Sequence, residues 1–89
     1  MNANEVVALA QVRTMVESGE ARAIRMASTL SLARVAAAVG VSAVTVFRWE
    51  HAEHLPTGDA ALRYLSLLLD LKALSTVESR AKAGAGARS

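Results

Sequence analysis

Four arginines stand in a part of the chain that carries no acidic side chain, and their chemistry is that of anion binding. The acid-free part runs from residue 21 to residue 49, and its arginines are Arg22, Arg25, Arg34 and Arg48. A guanidinium group stays charged and binds pairs of oxygen atoms in a planar, two-point geometry. The pattern therefore predicts a positive potential wherever these arginines share one face of the fold.

The net charge of the whole chain is a weaker signal than this local pattern. The formal net charge is +2, but residues 1–78 hold seven basic and eight acidic side chains, whereas residues 79–89 hold three basic side chains and no acidic one. The positive excess therefore comes from the C-terminal segment. Since that segment is a low-complexity run of Gly, Ala, Ser and basic residues, we expect it to be a disordered tail.

Other kinds of chemistry find few suitable residues. The chain has no cysteine, which excludes disulfides, thiolate metal sites and cysteine nucleophiles. His51, Glu53 and His54 do not have the spacing of a zinc-binding H-E-x-x-H helix, so we interpret them as a solvated loop. Because no Ser/His/Asp arrangement or phosphate-binding glycine loop is present, we expect no enzyme activity, cofactor or small-molecule ligand. With no signal-peptide pattern and no run of eighteen apolar residues, we expect a cytoplasmic protein without a membrane span.

The elements that must position the arginines are predicted to be helices, because Ala, Leu, Val and Arg dominate and the chain has one proline. Asn4 can cap a first helix that ends near Ser18, with Gly19 as its stop. Four further helices are predicted at residues 20–28, 32–39, 43–50 and 59–79. The first helix is expected to face the core through Val6, Leu9, Val12 and Val16, and the second through Ala21, Ile24 and Ala27.

The most specific pattern lies between residues 30 and 50, and its logic is steric. Ala36 is small at the point where two short helices would cross, and Gly40 can adopt the left-handed turn that a Cβ resists. Ser31 and Ser42 are good N-caps for the two helices. Two helices joined by so short a turn must cross steeply. The apolar positions that pin them together are Val35, Val39, Val41, Val46 and Trp49.

This segment, LSLARVAAAVGVSAVTVFRWE, resembles the phage Cro and lambda-type repressor family, also called XRE-like. Its matching positions are Leu30, Ser31, Ala36, Gly40, Val41, Ser42, Thr45, Arg48, Trp49 and Glu50. Val35 and Val46 are conservative replacements, and the resemblance extends over about residues 20 to 75. It implies an all-α, lambda-repressor-like DNA-binding fold of five helices, four of which form the helix-turn-helix domain at residues 20–78. Residues 1–19 would then be an extra N-terminal helix, and residues 79–89 the basic tail.

The resemblance also implies a role for individual side chains. In such proteins the second helix of the pair enters the major groove and the first lies across the DNA backbone. The groove-facing positions are Ser42, Ala43, Val44, Phe47 and Arg48. The candidate phosphate contacts are Arg22, Arg34, His51 and His54. The positions that hold the motif together are Arg25, Ala36, Gly40, Val41, Val46, Trp49 and Glu50.

Within these sets a few residues are given a specific interpretation. Arg48 is the best candidate for base recognition, because a guanidinium can bond guanine O6 and N7 together. We interpret Trp49 as a core residue rather than a base-stacking one, and Phe47 as an exposed groove or partner contact rather than a core residue. Arg25 and Glu50 resemble a family pair that joins the first family helix to the end of the recognition helix.

The chain also departs from the family, which often has glutamine at the position of Leu32, a polar residue at Ala43 and a basic linker after Glu50. Fewer phosphate contacts predict modest affinity with a shallow salt dependence.

The expected partner is double-stranded DNA, and the expected function is sequence-specific regulation of transcription, most simply repression at a bacterial or phage operator. Leucines cover more than one face of the last helix, from Leu62 to Leu74, so a homodimer through that helix is predicted. One alternative is a phage excision or architectural factor, which would bind several spaced sites. The other is an antitoxin-like interaction module, which would bind a protein and no duplex.

Overall fold

The structure, a computed structural model, describes residues 2–75 in full and gives only the helical path of residues 76–88. Within these residues the chain forms five α-helices and no strand: α1 (Ala3–Glu17), α2 (Glu20–Ala27), α3 (Leu32–Val39), α4 (Ala43–Glu50) and α5 (Gly58–Arg88). The all-α, five-helix fold class is confirmed. The predicted disordered tail, residues 79–89, lies outside the part of the chain that is described in full, and it stays a prediction.

The starts of α1, α3 and α4 follow the capping rules, with one correction at α1. Ser31 Oγ accepts the backbone N–H of Arg34 at 3.1 Å, and Ser42 Oγ accepts that of Thr45 at 3.2 Å. The predicted cap of α1 was wrong, because Asn2 and not Asn4 caps that helix, its Oδ1 accepting the N–H of Glu5 at 2.9 Å. The helix therefore begins at Ala3, two residues earlier than a cap at Asn4 would allow, and the Glu5 carboxylate lies in its first turn, where the helix dipole favours it.

The turn between α3 and α4 depends on Gly40. This residue is left-handed, with φ 87° and ψ 33°, and the N–H groups of Gly40 and Val41 both donate to the carbonyl of Ala36, at 2.8 and 3.0 Å. At this turn the chain bends by 105° between α3 and α4. Ala36 is buried where the two helices meet, as its small side chain predicted.

The core is shared by all five helices, so the two helices of the motif do not stand alone. α1 contributes Val12, Met15 and Val16, and α2 contributes Ala21. α3 and α4 contribute Val35, Ala36, Val39, Val46 and Trp49. α5 contributes Ala61, Tyr64, Leu65 and Leu68. The extra N-terminal helix packs on both α2 and α5, which makes it part of the same core.

Two of the predicted core positions were wrong. Val6 is 54% exposed, because burial along α1 falls off toward its start: Val12 is fully buried and Leu9 only partly so. Met15, which was not predicted, fills the core instead. Ala27 is exposed at the last turn of α2, at the rim of an open groove beside Leu71.

No single helix in the described residues is long and apolar enough to cross a membrane; the bent pair α3 and α4 reaches that length and composition only when its two members are taken together.

Candidate nucleic-acid interface

The helix α4 has a buried face and an exposed face. Val46, Trp49 and Glu50 are at most 7% exposed. On the other side lie Val44, Phe47, Arg48 and His51, all of them exposed, and we call these four residues the recognition face. Their spacing of three, four and seven residues places them on one stripe of the helix. Since the opposite face is anchored in the core, the recognition face points outward from the fold.

The two remaining groove candidates lie at the start of α4 and are partly engaged. Ser42 is exposed, but its hydroxyl caps the helix and also lies 2.9 Å from the hydroxyl of Thr45. Ala43 is half-buried and packs against the core. The structure therefore brings Val44, Phe47 and Arg48 together on one surface, with Ser42 at its edge and Ala43 turned partly inward.

His51 is part of the helix end and not a free loop residue. Its ring stacks on that of Phe47, with centroids 4.1 Å apart and an interplanar angle of 29°. Its Nδ1 lies 2.9 Å from the carbonyl oxygen of Phe47. The sequence interpretation missed this pair, although two ring-bearing residues at i and i+4 of a helix are a recognisable signal.

Arg25 and Glu50 form a two-point ion pair between α2 and the end of α4, in which Glu50 is buried and Arg25 is partly buried. The Arg25 Nε and Nη2 atoms donate to the two carboxylate oxygens of Glu50 at 2.5 and 3.0 Å, and Nη1 donates to the Leu30 carbonyl at 2.9 Å. The hydrogen bond to Glu50 raises the pKa of Arg25. One of the four arginines in the acid-free stretch is therefore neutralised inside the fold.

Arg63 of α5 holds the turn from the other side, and the sequence interpretation gave it no role. Its Nε donates to the carbonyl of Val39 at 2.8 Å. That carbonyl belongs to the last turn of α3, where helix carbonyls lack a partner within the helix and a cation is favoured by the helix dipole. A Cβ built on Gly40 would lie 3.7 Å from Nη2 of the same arginine, so Arg63 sits directly against the turn.

Tyr64 is a second residue that the sequence interpretation missed. Its ring packs on that of Trp49, with centroids 4.9 Å apart, and Trp49 lies in the core as expected from its position. Among the described side chains, the Tyr64 hydroxyl is buried and has no hydrogen-bond partner. Burial raises the pKa of Tyr64, and the nearby Glu50 charge raises it further.

The candidate phosphate contacts are spread over three elements. Arg22 of α2, Arg34 of α3 and His54 of the loop after α4 are all exposed. Arg48 and His54 line one open cavity of about 340 Å³ between α4 and the start of α5. Within residues 2–75, no group of three His, Cys, Asp or Glu side chains is arranged to hold a metal ion.

Comparison with known families supports the interpretation of this geometry. A helix-turn-helix family model (HTH_3) matches residues 22–68, more than half of the chain. The match begins in α2 and ends in α5, and it includes the whole of α3 and α4, while α1 lies outside it. No curated protein and no solved structure gives a significant match.

Proposed function

The chain belongs to the XRE-type, lambda repressor/Cro-like helix-turn-helix family of DNA-binding regulators, and we propose that it is a sequence-specific repressor that occupies an operator in double-stranded DNA. In this proposal α4 lies in the major groove and α3 crosses the backbone. The site of action is bacterial or phage DNA in the bacterial cytoplasm.

The observation that carries the proposal is the recognition face. Val44, Phe47 and Arg48 are exposed together on a helix whose opposite side is buried. A helix that presents a fixed set of side chains can enter the major groove, where each base pair has its own pattern of donors, acceptors and methyl groups. In our proposal Arg48 bonds guanine, and the apolar pair contacts thymine methyl groups.

The charges around α4 support binding of a DNA duplex with modest affinity. Arg25 is neutralised by Glu50, so the exposed arginines of the acid-free stretch are Arg22, Arg34 and Arg48. Because Arg48 is assigned to guanine, Arg22 and Arg34 are the arginines left to contact phosphate, and such contacts release counterions and make binding salt-dependent. Two arginine contacts to phosphate in each subunit are few, so we propose that stable operator binding requires two subunits.

The second subunit is proposed to bind through α5. Leu69 and Leu74 are 38% and 57% exposed on this helix, and covering them in a dimer would remove apolar surface from water. A two-fold dimer would place two recognition helices on half-sites about one helical turn apart, roughly 34–36 Å.

An antitoxin-like interaction module is the second candidate, and one observation favours it. Two of the four side chains of the recognition face, Val44 and Phe47, are apolar and exposed, which also suits a protein partner. In that case the protein would be retained on its partner and would select no duplex sequence.

Selection of bound sequences from a random duplex pool tests the proposal. The result expected is enrichment of one palindromic motif whose half-sites are centred about one turn of DNA apart. Several spaced copies in direct orientation would favour an architectural factor instead. Recovery of the unenriched pool would refute sequence-specific binding.

A further inference from the structure

The most exposed aromatic ring of α4 is held in place by a second ring. Phe47 is 43% exposed, and His51 stacks on it with centroids 4.1 Å apart. His51 is itself fixed, because its Nδ1 lies 2.9 Å from the Phe47 carbonyl oxygen at the end of α4. The two residues therefore restrain each other through a ring contact and a backbone contact.

We propose that Phe47 is a specificity-determining residue that recognises the 5-methyl group of thymine, and that His51 is the positioning residue that holds its ring. This inference rests on the proposed function, since it needs α4 in the major groove. It singles out Phe47 from the apolar pair as the residue that sets the preference for thymine, and it adds a positioning role for His51.

The chemistry of the major groove selects thymine as the target. A phenyl ring has no hydrogen-bonding group, and the apolar group that base pairs present in this groove is the thymine methyl. Val44 lies three residues before Phe47 and is 57% exposed, so the two side chains form one apolar strip along the helix. Next to this strip stands Arg48, whose guanidinium suits a guanine.

The role of His51 follows from the cost of ordering a side chain. A surface ring that is free to change rotamer loses that freedom when it packs on a methyl group. The lost entropy offsets part of the free energy of that contact, so the preference for thymine becomes weaker. A ring already stacked on His51 has less freedom to lose. Removing His51 should therefore weaken the preference for thymine even though His51 does not touch the base.

The experiment uses the full chain and a duplex selected from a random pool. Each thymine of the selected site is replaced in turn by deoxyuridine, which removes only the methyl group, and the Kd is measured for each duplex. For the wild type we expect a loss of about four-fold at one thymine in each half-site, the effect of burying one methyl group. Phe47→Ala should bind the thymine and uracil duplexes equally at that position.

Two His51 variants separate positioning from a phosphate contact. His51→Ala should bind the site but lose most of the thymine preference, to less than two-fold. His51→Phe, which keeps a ring for stacking but has no ring nitrogen, should restore the preference. Thermal unfolding of both variants checks that the fold is retained, which the exposure of His51 leads us to expect.

Each remaining outcome contradicts the inference in a distinguishable way. If uracil is tolerated at every thymine, the assignment of Phe47 is wrong while sequence-specific binding stands. If His51→Ala weakens every duplex equally and reduces the salt slope by about one for each subunit, His51 contacts a phosphate and does not position the ring. If no duplex is selected and Phe47→Ala instead releases a protein partner, the inference and the proposed function fail together.

Discussion

Arg25 and Glu50 are joined by two hydrogen bonds, of 2.5 and 3.0 Å, that link α2 to the last residue of α4. The Glu50 side chain is 1% exposed and that of Arg25 is 15% exposed. Since α4 carries the recognition face, this pair fixes the end of the helix that the proposed function places in DNA.

Glu50→Gln is expected to destabilise the fold strongly. The substitution leaves the Arg25 guanidinium without its counter-charge, and removing one partner of a buried pair costs about 3 kcal/mol. Urea unfolding measures the loss in the free energy of unfolding. The matched control is Glu20→Gln, which removes one partner of the exposed Lys72–Glu20 pair and should cost less than about 1 kcal/mol. Equal losses for the two variants would show that the buried pair has no special weight.

Gly40→Ala is expected to lower both the free energy of unfolding and the affinity for DNA. A Cβ at this position meets nothing closer than 3.7 Å, so the cost comes from the left-handed backbone, about 1 kcal/mol or more. Gly19→Ala is the control, because Gly19 has nearly the same φ, 84° against 87°, but lies between α1 and α2. We expect similar losses of stability and a loss of DNA affinity for Gly40→Ala alone. Equal losses of affinity would mean that the turn does not set the angle of α4.

Tyr64→Phe should change the stability most at alkaline pH. Because burial raises the pKa of Tyr64 above its ordinary value of 10.0, the unfolded chain releases this proton first as the pH rises. The contribution of Tyr64 to the free energy of unfolding of the wild type is therefore complete below pH 10. Above pH 10 this contribution falls by about 1.4 kcal/mol per pH unit. At neutral pH the variant should be at least as stable, since the hydroxyl makes no hydrogen bond among the described residues. Unfolding curves between pH 7 and pH 11 test this, and an identical alkaline decline in both proteins would contradict it.

Val12→Ala tests whether α1 belongs to the core, although it lies outside the family match. Val12 is fully buried, so deleting its two methyl groups should cost roughly 2 kcal/mol. Val6→Ala, on the same helix but 54% exposed, should change the free energy of unfolding by less than about 0.5 kcal/mol. If Val12→Ala changed the free energy of unfolding as little as Val6→Ala, α1 would not contribute to the stability of the core.

The parts of this fold that local rules govern could be predicted from the sequence. Ser31, Ser42 and Gly40 act on neighbours a few residues away, and the bounds of α3 and α4 followed from them. The exposed stripe at Val44 and Phe47 followed from helical periodicity together with the family resemblance.

Contacts between distant parts of the chain could not be obtained in this way. The bond from Arg63 to the Val39 carbonyl joins residues 24 positions apart, and nothing in the local sequence of either residue indicates it. The prediction that Val6 lies in the core was wrong for a related reason. Periodicity gives the buried face of a helix but not the point at which neighbouring helices stop covering it. The choice of Asn2 over Asn4 was open, because both residues can cap a helix.

Arg48→Ala is the sharpest test of whether the exposed face of α4 recognises base edges. Its Kd is compared with that of the wild type on the selected site and on every single-base-pair variant of that site. Lys72→Gln is the control. It removes a positive charge from α5, next to Glu20 of α2, and should leave the ranking of the DNA sites by affinity unchanged. We expect Arg48→Ala to lose about 5- to 150-fold in affinity for each half-site that the dimer occupies, and to become indifferent at one base pair in each half-site. An equal loss on every sequence, with a salt slope lower by about one for each subunit, would mean that Arg48 binds a phosphate and does not recognise a base.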